Sequence, residues 1–299
     1  MKIFVTGAKG QLGRELIQQG SKDGLHLQGI DLPEHDIADS ASLKALIEKY
    51  SPELVLNAAA FTMVDKAEAE PQLAEAGNHI GPANLSEICK KQKVPLIHIS
   101  TDFVFDGERR TPYLPDEPMN PLSVYGRTKA AGEEAVRELL PRHLIVRTSW
   151  LYASNGANFV ATMLRLGREH KKIRVVSDQF GSPTCAADLA TALLSMGRQV
   201  LKNDGPWGTY HFCGSGITSW HGFAMAIFEQ AKSHTALAVE EVEPITTSEY
   251  PTPARRPAYS ALDCSWTTKD FGIVPRLWQE SLEETLPNML ARYPDPKES

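Results

Sequence analysis

The chain has 299 residues, a net charge of −6, 42% hydrophobic residues and 23% charged residues. This composition predicts a globular protein with one large or two modest domains, and the acidity argues against nucleic acid or an anionic membrane as the main partner. No apolar run approaches the roughly 20 residues of a membrane span, and the first residues lack a signal-peptide pattern. We therefore expect a cytoplasmic protein, in which the four scattered cysteines are buried free thiols.

Short β-rich runs alternate with helical segments through the first two thirds of the chain. The strand-like runs are KIFVT, LHLQGID, LVLNAAA, VPLIHIS, HLIVRTSW, IRVVSD and TYHFCG. Between them lie helical segments such as QLGRELIQQG, SASLKALIEKY, a long stretch near 71–92, ANFVATMLRLGREH and CAADLATALLSMG. This alternation predicts an α/β fold, Rossmann-like, with a doubly wound parallel sheet covered by helices on both faces.

The composition changes after about residue 150, where loops lengthen and proline and aromatic residues recur. We predict a nucleotide-binding Rossmann domain over 1–150, its sheet completed by strands near 173–177 and 209–213. The remainder, 151–299, is predicted to form a smaller, mainly substrate-binding C-terminal domain.

A glycine-rich turn lies directly between the first strand and the first helix. The sequence VTGAKGQLGREL places Gly7, Gly10 and Gly13 in a G-x-x-G-x-x-G pattern. Such a turn lets the backbone approach a pyrophosphate, and the helix N-terminus offers free N–H groups and a positive dipole end. The pattern predicts an NAD(P) site, and the alternative is a strand–helix turn without a ligand.

The acid after the second strand bears on the choice of cofactor. Asp31 lies 18 residues after Gly13, close to the spacing expected for a carboxylate on the adenosine ribose. It favours NADH because it would repel a 2′-phosphate, although Lys9 and Arg14 could offset this repulsion and leave NADPH use open. Small residues in the NAAAFT segment, including Ala59, would let the chain pass close to adenine and ribose. Alternatively, Asp31 only forms a turn, and the small residues of NAAAFT only allow close packing of a strand against a helix.

A candidate catalytic group follows the fourth strand. Thr101 and Asp102 lie at its carboxyl end, where doubly wound sheets bind ligands. Tyr125 and Lys129 are spaced i, i+4 at the start of the next helix and therefore share one face. We expect Tyr125 to donate a proton to a carbonyl oxygen that Thr101 hydrogen-bonds. Lys129 and the oxidised nicotinamide ring would together lower the pKa of Tyr125, and Lys129 would also hold the nicotinamide ribose.

This ordered set of motifs resembles the extended short-chain dehydrogenase/reductase superfamily. The motifs STDFVFDG, NPLSVYGRTKAAGE, RTSWLY, NFVATMLRL and VVSDQFGSPTCAADLA are similar to those of the dTDP-4-dehydrorhamnose reductase family. The resemblance implies NAD(P)H-dependent reduction of the C4 carbonyl of dTDP-4-dehydro-L-rhamnose, the last step of dTDP-L-rhamnose synthesis.

The resemblance also implies roles for individual residues. Thr101, Tyr125 and Lys129 would be the catalytic triad, and Asp102 and Trp150 would contact the substrate. Phe103 stands where the family often has tyrosine, which removes one hydroxyl. The implied cofactor positions are Gly10, Gln11, Leu12, Asp31, Asp36, Ile37, Ala60 and Thr62. Arg255 and Arg256 could bind the nucleotide diphosphate, or be solvated surface charges.

Other readings remain open at this stage. Some members of the family resemble metal-bridged dimers, and Glu15 and Asp188 fall at matching places. No third acid aligns in the C-terminal tail, so Mg²⁺ stays possible but is not assigned. The chain is expected to be a monomer or homodimer. A nucleotide-sugar epimerase or 4,6-dehydratase is one alternative, although a dehydratase would have a glutamate where Phe103 stands. A second is a regulatory subunit resembling the methionine adenosyltransferase β subunit.

Overall fold

The computed structural model describes residues 1–292, and within them the chain forms twelve strands and eleven α-helices. The strands are β1 (Lys2–Thr6), β2 (His26–Ile30), β3 (Leu54–Asn57), β4 (Leu96–Thr101), β5 (His143–Thr148), β6 (Leu151–Tyr152), β7 (Lys172–Val176), β8 (Phe180–Gly181), β9 (Thr184–Cys185), β10 (Gly208–His211), β11 (Thr218–Ser219) and β12 (Glu241–Ile245). The helices are α1 (Gln11–Lys22), α2 (Ser40–Tyr50), α3 (Val64–Ala69), α4 (Pro71–Glu75), α5 (Gly81–Gln92), α6 (Val124–Leu139), α7 (Phe159–Glu169), α8 (Ala186–Asn203), α9 (Trp220–Ala231), α10 (Ser265–Phe271) and α11 (Trp278–Arg292).

Six parallel strands form the central sheet in the order β10-β5-β4-β3-β1-β2. Strands β3 and β5 are buried along their whole length, because helices cover both faces of the sheet. Helices α1 and α8 pack on one face, and α2, α5 and α6 pack on the other. The predicted α/β fold with a doubly wound parallel sheet is confirmed.

The prediction that a strand near 173–177 completes the central sheet is wrong. That segment, β7, pairs in parallel with β12 in a separate two-stranded sheet. Its burial alternates, with Lys172 and Arg174 exposed and Ile173 and Val175 buried. A strand buried on one face suits a surface sheet, whereas the central strands need two apolar faces. One edge strand of the central sheet is β10, close to the predicted 209–213.

A second apolar core lies outside the central sheet. Helices α7, α9 and α11 pack around β7, with Phe223, Leu282 and Met289 fully buried. The chain does not stay in this part after residue 150, since α8 and β10 return to the central sheet. The division into domains at residue 150 stays a prediction. Within residues 1–292, no helix is both long and apolar enough to cross a lipid bilayer.

Candidate active site

The glycine turn lies where the strand order reverses, between β1 and β3. Gly7 has a φ of +70°, and a Cβ there would lie 2.6 Å from the backbone of Ala58. A Cβ on Gly13 would lie 2.1 Å from the Gly7 carbonyl oxygen, so both positions require glycine. Gly10 is the N-cap of α1 and provides no side-chain hydrogen bond to the first N–H groups of the helix. These free donors, at residues such as Gln11 and Leu12, suit a pyrophosphate.

Asp31 follows β2 and contacts the glycine turn. Its Oδ2 accepts a hydrogen bond of 2.7 Å from the Lys9 backbone N–H, and its Oδ1 accepts one from Leu32. The Lys9 ammonium pairs with Glu34, and the Arg14 Nε–H donates to the Lys9 carbonyl oxygen. Both cations that could offset the charge of Asp31 are therefore engaged by other groups.

The other predicted cofactor positions border the same edge of the sheet. Asp36 accepts a hydrogen bond from the Ala38 N–H. The Ile37 side chain is buried against Gly81 in the core between α2 and α5, so its side chain serves packing. Ala59 and Ala60 are half-buried after β3, and Thr62 is exposed. Gln11 also reaches the later chain, since its Oε1 accepts a hydrogen bond from Asn158.

Thr101, Asp102 and Tyr125 come together where β4 ends and α6 begins. Ser123 caps α6 by accepting a hydrogen bond from the Gly126 N–H, which places Tyr125 in the first turn. The Thr101 hydroxyl donates to Asp102 at 3.0 Å. Burial raises the pKa of Tyr125 to about 12, and Asp102 adds to this rise while the Thr101 hydroxyl opposes it. Tyr125 is therefore a protonated phenol at neutral pH.

Lys129 lies one turn after Tyr125 and is almost completely buried. Its ammonium donates to the Ile99 carbonyl oxygen at 2.6 Å. Burial lowers the pKa of Lys129 to about 8, against the opposing charge of Glu133. The expected lowering of the Tyr125 pKa is not found, because burial of the phenol is the largest influence and the lysine ammonium is held at β4.

His98 and Asn57 also belong to this site, although the sequence motifs point to Asn57 only as the first residue of NAAAFT and do not point to His98. The Asn57 Oδ1 accepts from the Thr6 hydroxyl at 2.6 Å and from the Ala59 N–H, so its Nδ2 donates to His98 Nδ1 at 2.8 Å. Burial and the charge of Lys129 hold the pKa of His98 well below its usual value. A neutral ring that accepts at Nδ1 carries its proton on Nε2, which lies 3.4 Å from Lys129 Nζ. This N–H favours the neutral form of the lysine.

Asp102 is a further strongly perturbed acid–base group at this edge. Burial raises its pKa to about 6, and hydrogen bonds from Ser260 and Thr101 oppose the rise. Its Oδ2 is buried and has no hydrogen-bond partner among the described residues. A buried, unpartnered carboxylate oxygen beside Thr101 suits a ligand hydroxyl.

A cavity of about 580 Å³ lies between the β7 region and the loop after β12. Its lining combines aromatic Trp220 and Tyr250 with basic Arg174 and Arg256. The indole of Trp150 stacks on Trp220 with ring centroids 3.6 Å apart, so Trp150 supports this wall. The mixture of flat rings and cations suits a nucleotide with a negatively charged diphosphate.

Arg256 is held at the edge of this cavity by Asp65. Its NH2 lies 2.8 Å from Asp65 Oδ2, and its NH1 donates to the Ala254 carbonyl oxygen. Asp65 belongs to α3, and its neighbour Val64 packs near Tyr125. The ion pair therefore links the cavity to the helix beside the candidate catalytic group. Arg255, by contrast, is exposed.

Comparisons with known proteins show the family to which the chain belongs. A family model described as RmlD substrate binding domain matches residues 1–291. The dTDP-4-dehydrorhamnose reductase of Streptomyces griseus is 41% identical over 292 residues, covering 97% of this chain and 94% of that protein. The enzyme of the same name from Aggregatibacter actinomycetemcomitans is 39% identical over 285 residues, with 94% and 97% covered. This chain belongs to the dTDP-4-dehydrorhamnose reductase family.

Solved structures of the family superimpose over nearly the whole chain. The dTDP-4-dehydrorhamnose reductase of Clostridium acetobutylicum has a TM-score of 0.88 at 40% identity, covering 96% of this chain and 99% of that one. The enzyme of Bacillus anthracis, solved with NADP, has a TM-score of 0.88 at 36% identity, covering 96% and 98%. A UDP-glucose 4-epimerase of Thermotoga maritima is 20% identical with a TM-score of 0.81, and it shares the fold alone.

The residues around Glu15 and Asp188 do not suit a bound metal ion. Glu15 and Asp188 line a cavity of about 430 Å³ together with Glu284. Arg276 lies 3.7 Å from Asp188 and 2.6 Å from Glu284, so a cation of the chain already pairs with these two acids. Within residues 1–292, no group of three or more His, Cys, Asp or Glu side chains is arranged to hold a metal ion.

Proposed function

We propose that the chain reduces the C4 carbonyl of dTDP-4-dehydro-L-rhamnose to a hydroxyl, forming dTDP-L-rhamnose with NADH or NADPH. The observation that carries the proposal is the meeting of Thr101, Asp102 and Tyr125 at the carboxyl end of β4, near the glycine turn at the point where the strand order reverses. Family membership supports it, since relatives covering nearly the whole chain are named dTDP-4-dehydrorhamnose reductases.

The residues at the glycine turn fit a nicotinamide dinucleotide. The N-terminus of α1 would hold the pyrophosphate with backbone N–H groups at Gln11, Leu12 and Gly13, and Asp31 would accept hydrogen bonds from the adenosine ribose. When bound, the cofactor supplies the hydride that reduces the carbonyl carbon. A relative was solved with NADP, so both cofactors are considered, and the carboxylate of Asp31 favours NADH.

The chain's own residues supply the proton. The raised pKa of Tyr125, about 12, keeps the phenol protonated, so it can donate to the carbonyl oxygen as negative charge develops there. Thr101 would hydrogen-bond the same oxygen, and Asp102 would accept from a sugar hydroxyl through its unpartnered Oδ2. Lys129, with a pKa of about 8, would hold the nicotinamide ribose hydroxyls and exchange protons near neutral pH.

The cavity around Trp220 and Tyr250 would bind the nucleotide part of the substrate. Its flat rings offer a stacking surface for the base, and Arg256 offers a guanidinium for the diphosphate. Trp150 would act on this site by supporting Trp220. We propose no metal at Glu15 and Asp188, because Arg276 already pairs with Asp188 and Glu284 in that cavity. A monomer or homodimer remains our expectation.

Turnover by the isolated chain tests the proposal. The chain is incubated with NADH or NADPH and enzymatically prepared dTDP-4-dehydro-L-rhamnose, and both absorbance loss and the sugar product are followed. We expect stoichiometric formation of dTDP-L-rhamnose without a metal or partner chain. Cofactor binding without turnover would favour the regulatory-subunit alternative, and conversion of a 4-hydroxy sugar nucleotide without net cofactor oxidation would favour an epimerase or dehydratase.

Asp31→Ala tests the assignment of the ribose site. Removing the carboxylate removes its repulsion of a 2′-phosphate, which is worth about 1 kcal/mol for a solvent-exposed pair, or roughly a fivefold change. The ratio of kcat/KM for NADPH to that for NADH should rise by this factor. Asp23→Ala, which removes an exposed acid paired with Arg198, is the matched control and should leave the ratio unchanged. An unchanged ratio for Asp31→Ala would mean that Asp31 does not face the ribose.

The variant Asp102→Asn tests, through the free energy of unfolding, whether the carboxylate of Asp102 is buried at a cost to stability. The folded-state pKa of about 6 lies above the ordinary value of 3.8, so the ionised form destabilises the fold above about pH 6, and this cost disappears below about pH 4. The variant should therefore gain stability relative to wild type by up to about 3 kcal/mol between about pH 4 and pH 8. Urea unfolding at both pH values measures this, with Asp116→Asn at an exposed position as control. A pH-independent difference would contradict the assignment.

A further inference from the structure

Two of the four cysteines lie side by side near the substrate site, although they are 51 positions apart in sequence. Cys213 Sγ and Cys264 Sγ are 3.7 Å apart, and both thiols lie near the Leu262 carbonyl oxygen, at 3.7 and 3.9 Å. Cys213 follows the edge strand β10 and is buried, whereas Cys264 is partly exposed just before α10. An oxidant in solution can therefore reach one member of the pair.

Cys264 ends an extended segment, residues 257–264, that crosses the substrate side of the molecule. Tyr113 holds this segment on one side, since its N–H donates to Ala261 and its carbonyl oxygen accepts from Asp263. Phe180 holds the segment on its other side, because the Phe180 carbonyl oxygen accepts a hydrogen bond from the Ser260 N–H. Ser260 also lies beside Asp102, the unusual acid of the site, and opposes the rise of its pKa. A covalent tie at Cys264 would therefore act on a segment that contacts the site directly.

We propose that Cys213 and Cys264 are a reversible dithiol–disulfide pair, oxidised by peroxides, whose closure weakens binding of the sugar nucleotide. The second half of this inference rests on the proposed function. Formation of a disulfide needs the sulfur atoms to approach by about 1.6 Å, to the bond length of about 2.05 Å. That movement draws the end of segment 257–264 towards β10 and shifts Ser260 relative to Asp102.

The chemistry balances with one hydrogen peroxide per pair. The hydrogen bond from Cys264 lowers the pKa of Cys213 and raises that of Cys264, so the two sulfurs share one proton. Cys264, the more accessible sulfur, passes its proton to the Cys213 thiolate and attacks the peroxide as the thiolate; it becomes a sulfenic acid, and the released hydroxide takes the proton from Cys213 and leaves as water. Cys213, again a thiolate, attacks the Cys264 sulfur, the S–S bond forms, and the sulfenic oxygen leaves as hydroxide, which takes up a proton and becomes a second water. Dithiothreitol reverses the reaction by returning two electrons and two protons.

The chemical test does not depend on activity. Purified chain is treated with hydrogen peroxide, denatured and titrated for thiols, and non-reducing peptide maps are compared. We expect the free thiols to fall from four to two, with the Cys213 and Cys264 peptides joined and both thiols recovered by dithiothreitol. Four remaining thiols, a different linked pair, or a sulfinic acid without a disulfide would overturn the proposal.

Variants separate the pair from general oxidation. Cys264→Ser places serine at a favourable helix N-cap and should fold, and it should retain all three of its remaining thiols under the same treatment. Cys185→Ser, whose neighbour is Thr285 rather than a cysteine, is the matched control and should still lose two thiols. Loss of two thiols in Cys264→Ser would overturn the pairing.

The effect on the site is measured as binding of dTDP and as KM for the sugar nucleotide. In the wild type and in Cys185→Ser, complete oxidation should lower the affinity for dTDP and raise the KM for the sugar nucleotide, each severalfold. In Cys264→Ser, the affinity and the KM should stay unchanged. NADH binding should not change in any of them. Unchanged dTDP affinity after complete disulfide formation would overturn the link to the site, whatever the outcome of the turnover test.

Discussion

Replacing Tyr125 with phenylalanine is expected to lower the rate of hydride transfer by about 10²–10⁴-fold, the usual contribution of a general acid. The substitution keeps the buried ring and its edge contact with Phe103, so the fold and cofactor binding should persist. The phenol is the proton donor nearest to Thr101 in our assignment, and no comparable group would replace it. Single-turnover reduction at saturating substrate measures the effect without interference from product release.

A matched control for this variant is available on the surface. Tyr50→Phe also removes one phenol, which hydrogen-bonds the His26 carbonyl oxygen away from the site, and it should leave the rate unchanged. Fluorescence titration with NADH checks that cofactor binding is intact in both variants. A Tyr125→Phe rate within about twofold of wild type would contradict general acid catalysis by this residue and favour the regulatory-subunit alternative.

Replacing Arg147 with methionine is expected to destabilise the fold by about 3–5 kcal/mol, because it leaves a buried carboxylate without its main partner. Arg147 and Glu133 are 1% and 0% exposed, and two guanidinium nitrogens donate to the carboxylate at 2.9 and 2.7 Å. A third nitrogen donates to the Pro115 carbonyl oxygen. Urea unfolding at neutral pH measures the loss.

Two further variants define what the loss means. Arg165→Met removes an exposed i, i+4 pair with Glu169 and should cost less than about 1 kcal/mol. The double variant Glu133→Leu/Arg147→Met removes both buried charges and should recover much of the stability lost in Arg147→Met. A loss in Arg147→Met no larger than that in Arg165→Met would contradict the strength of the buried pair.

Much of this molecule could be predicted because its signals are local. Apolar runs predict the central strands, and the glycine turn between β1 and α1 predicts the edge of the sheet at which a cofactor would bind. The prediction for the strand at 172–176 is wrong because an apolar run does not reveal which strand it pairs with. Its place beside β12 is explained by the burial of Ile173 and Val175 on one face only, which becomes visible in the folded chain.

The site was predicted less completely, since its electrostatics depend on contacts between distant segments. His98 was visible as a polar residue inside an apolar strand, but its link to Asn57 and Lys129 joins three elements. The effect of Lys129 on Tyr125 was inferred from their spacing alone. Burial outweighs it in the folded chain, which no i, i+4 pattern can reveal.

The late arrival of α8 and β10 in the central sheet has a consequence for synthesis of the chain on the ribosome. When only the first 150 residues have emerged, β5 is an edge strand paired with β4 alone, and the apolar face beside α1 lacks Leu189, Leu193 and Tyr210. The same core also contains Phe271, so the chain up to about residue 271 must leave the ribosome before that core is complete. The first half of the chain is thus completed by segments of the second half. The nascent protein therefore passes through a stage in which the apolar face beside α1 is exposed to solvent.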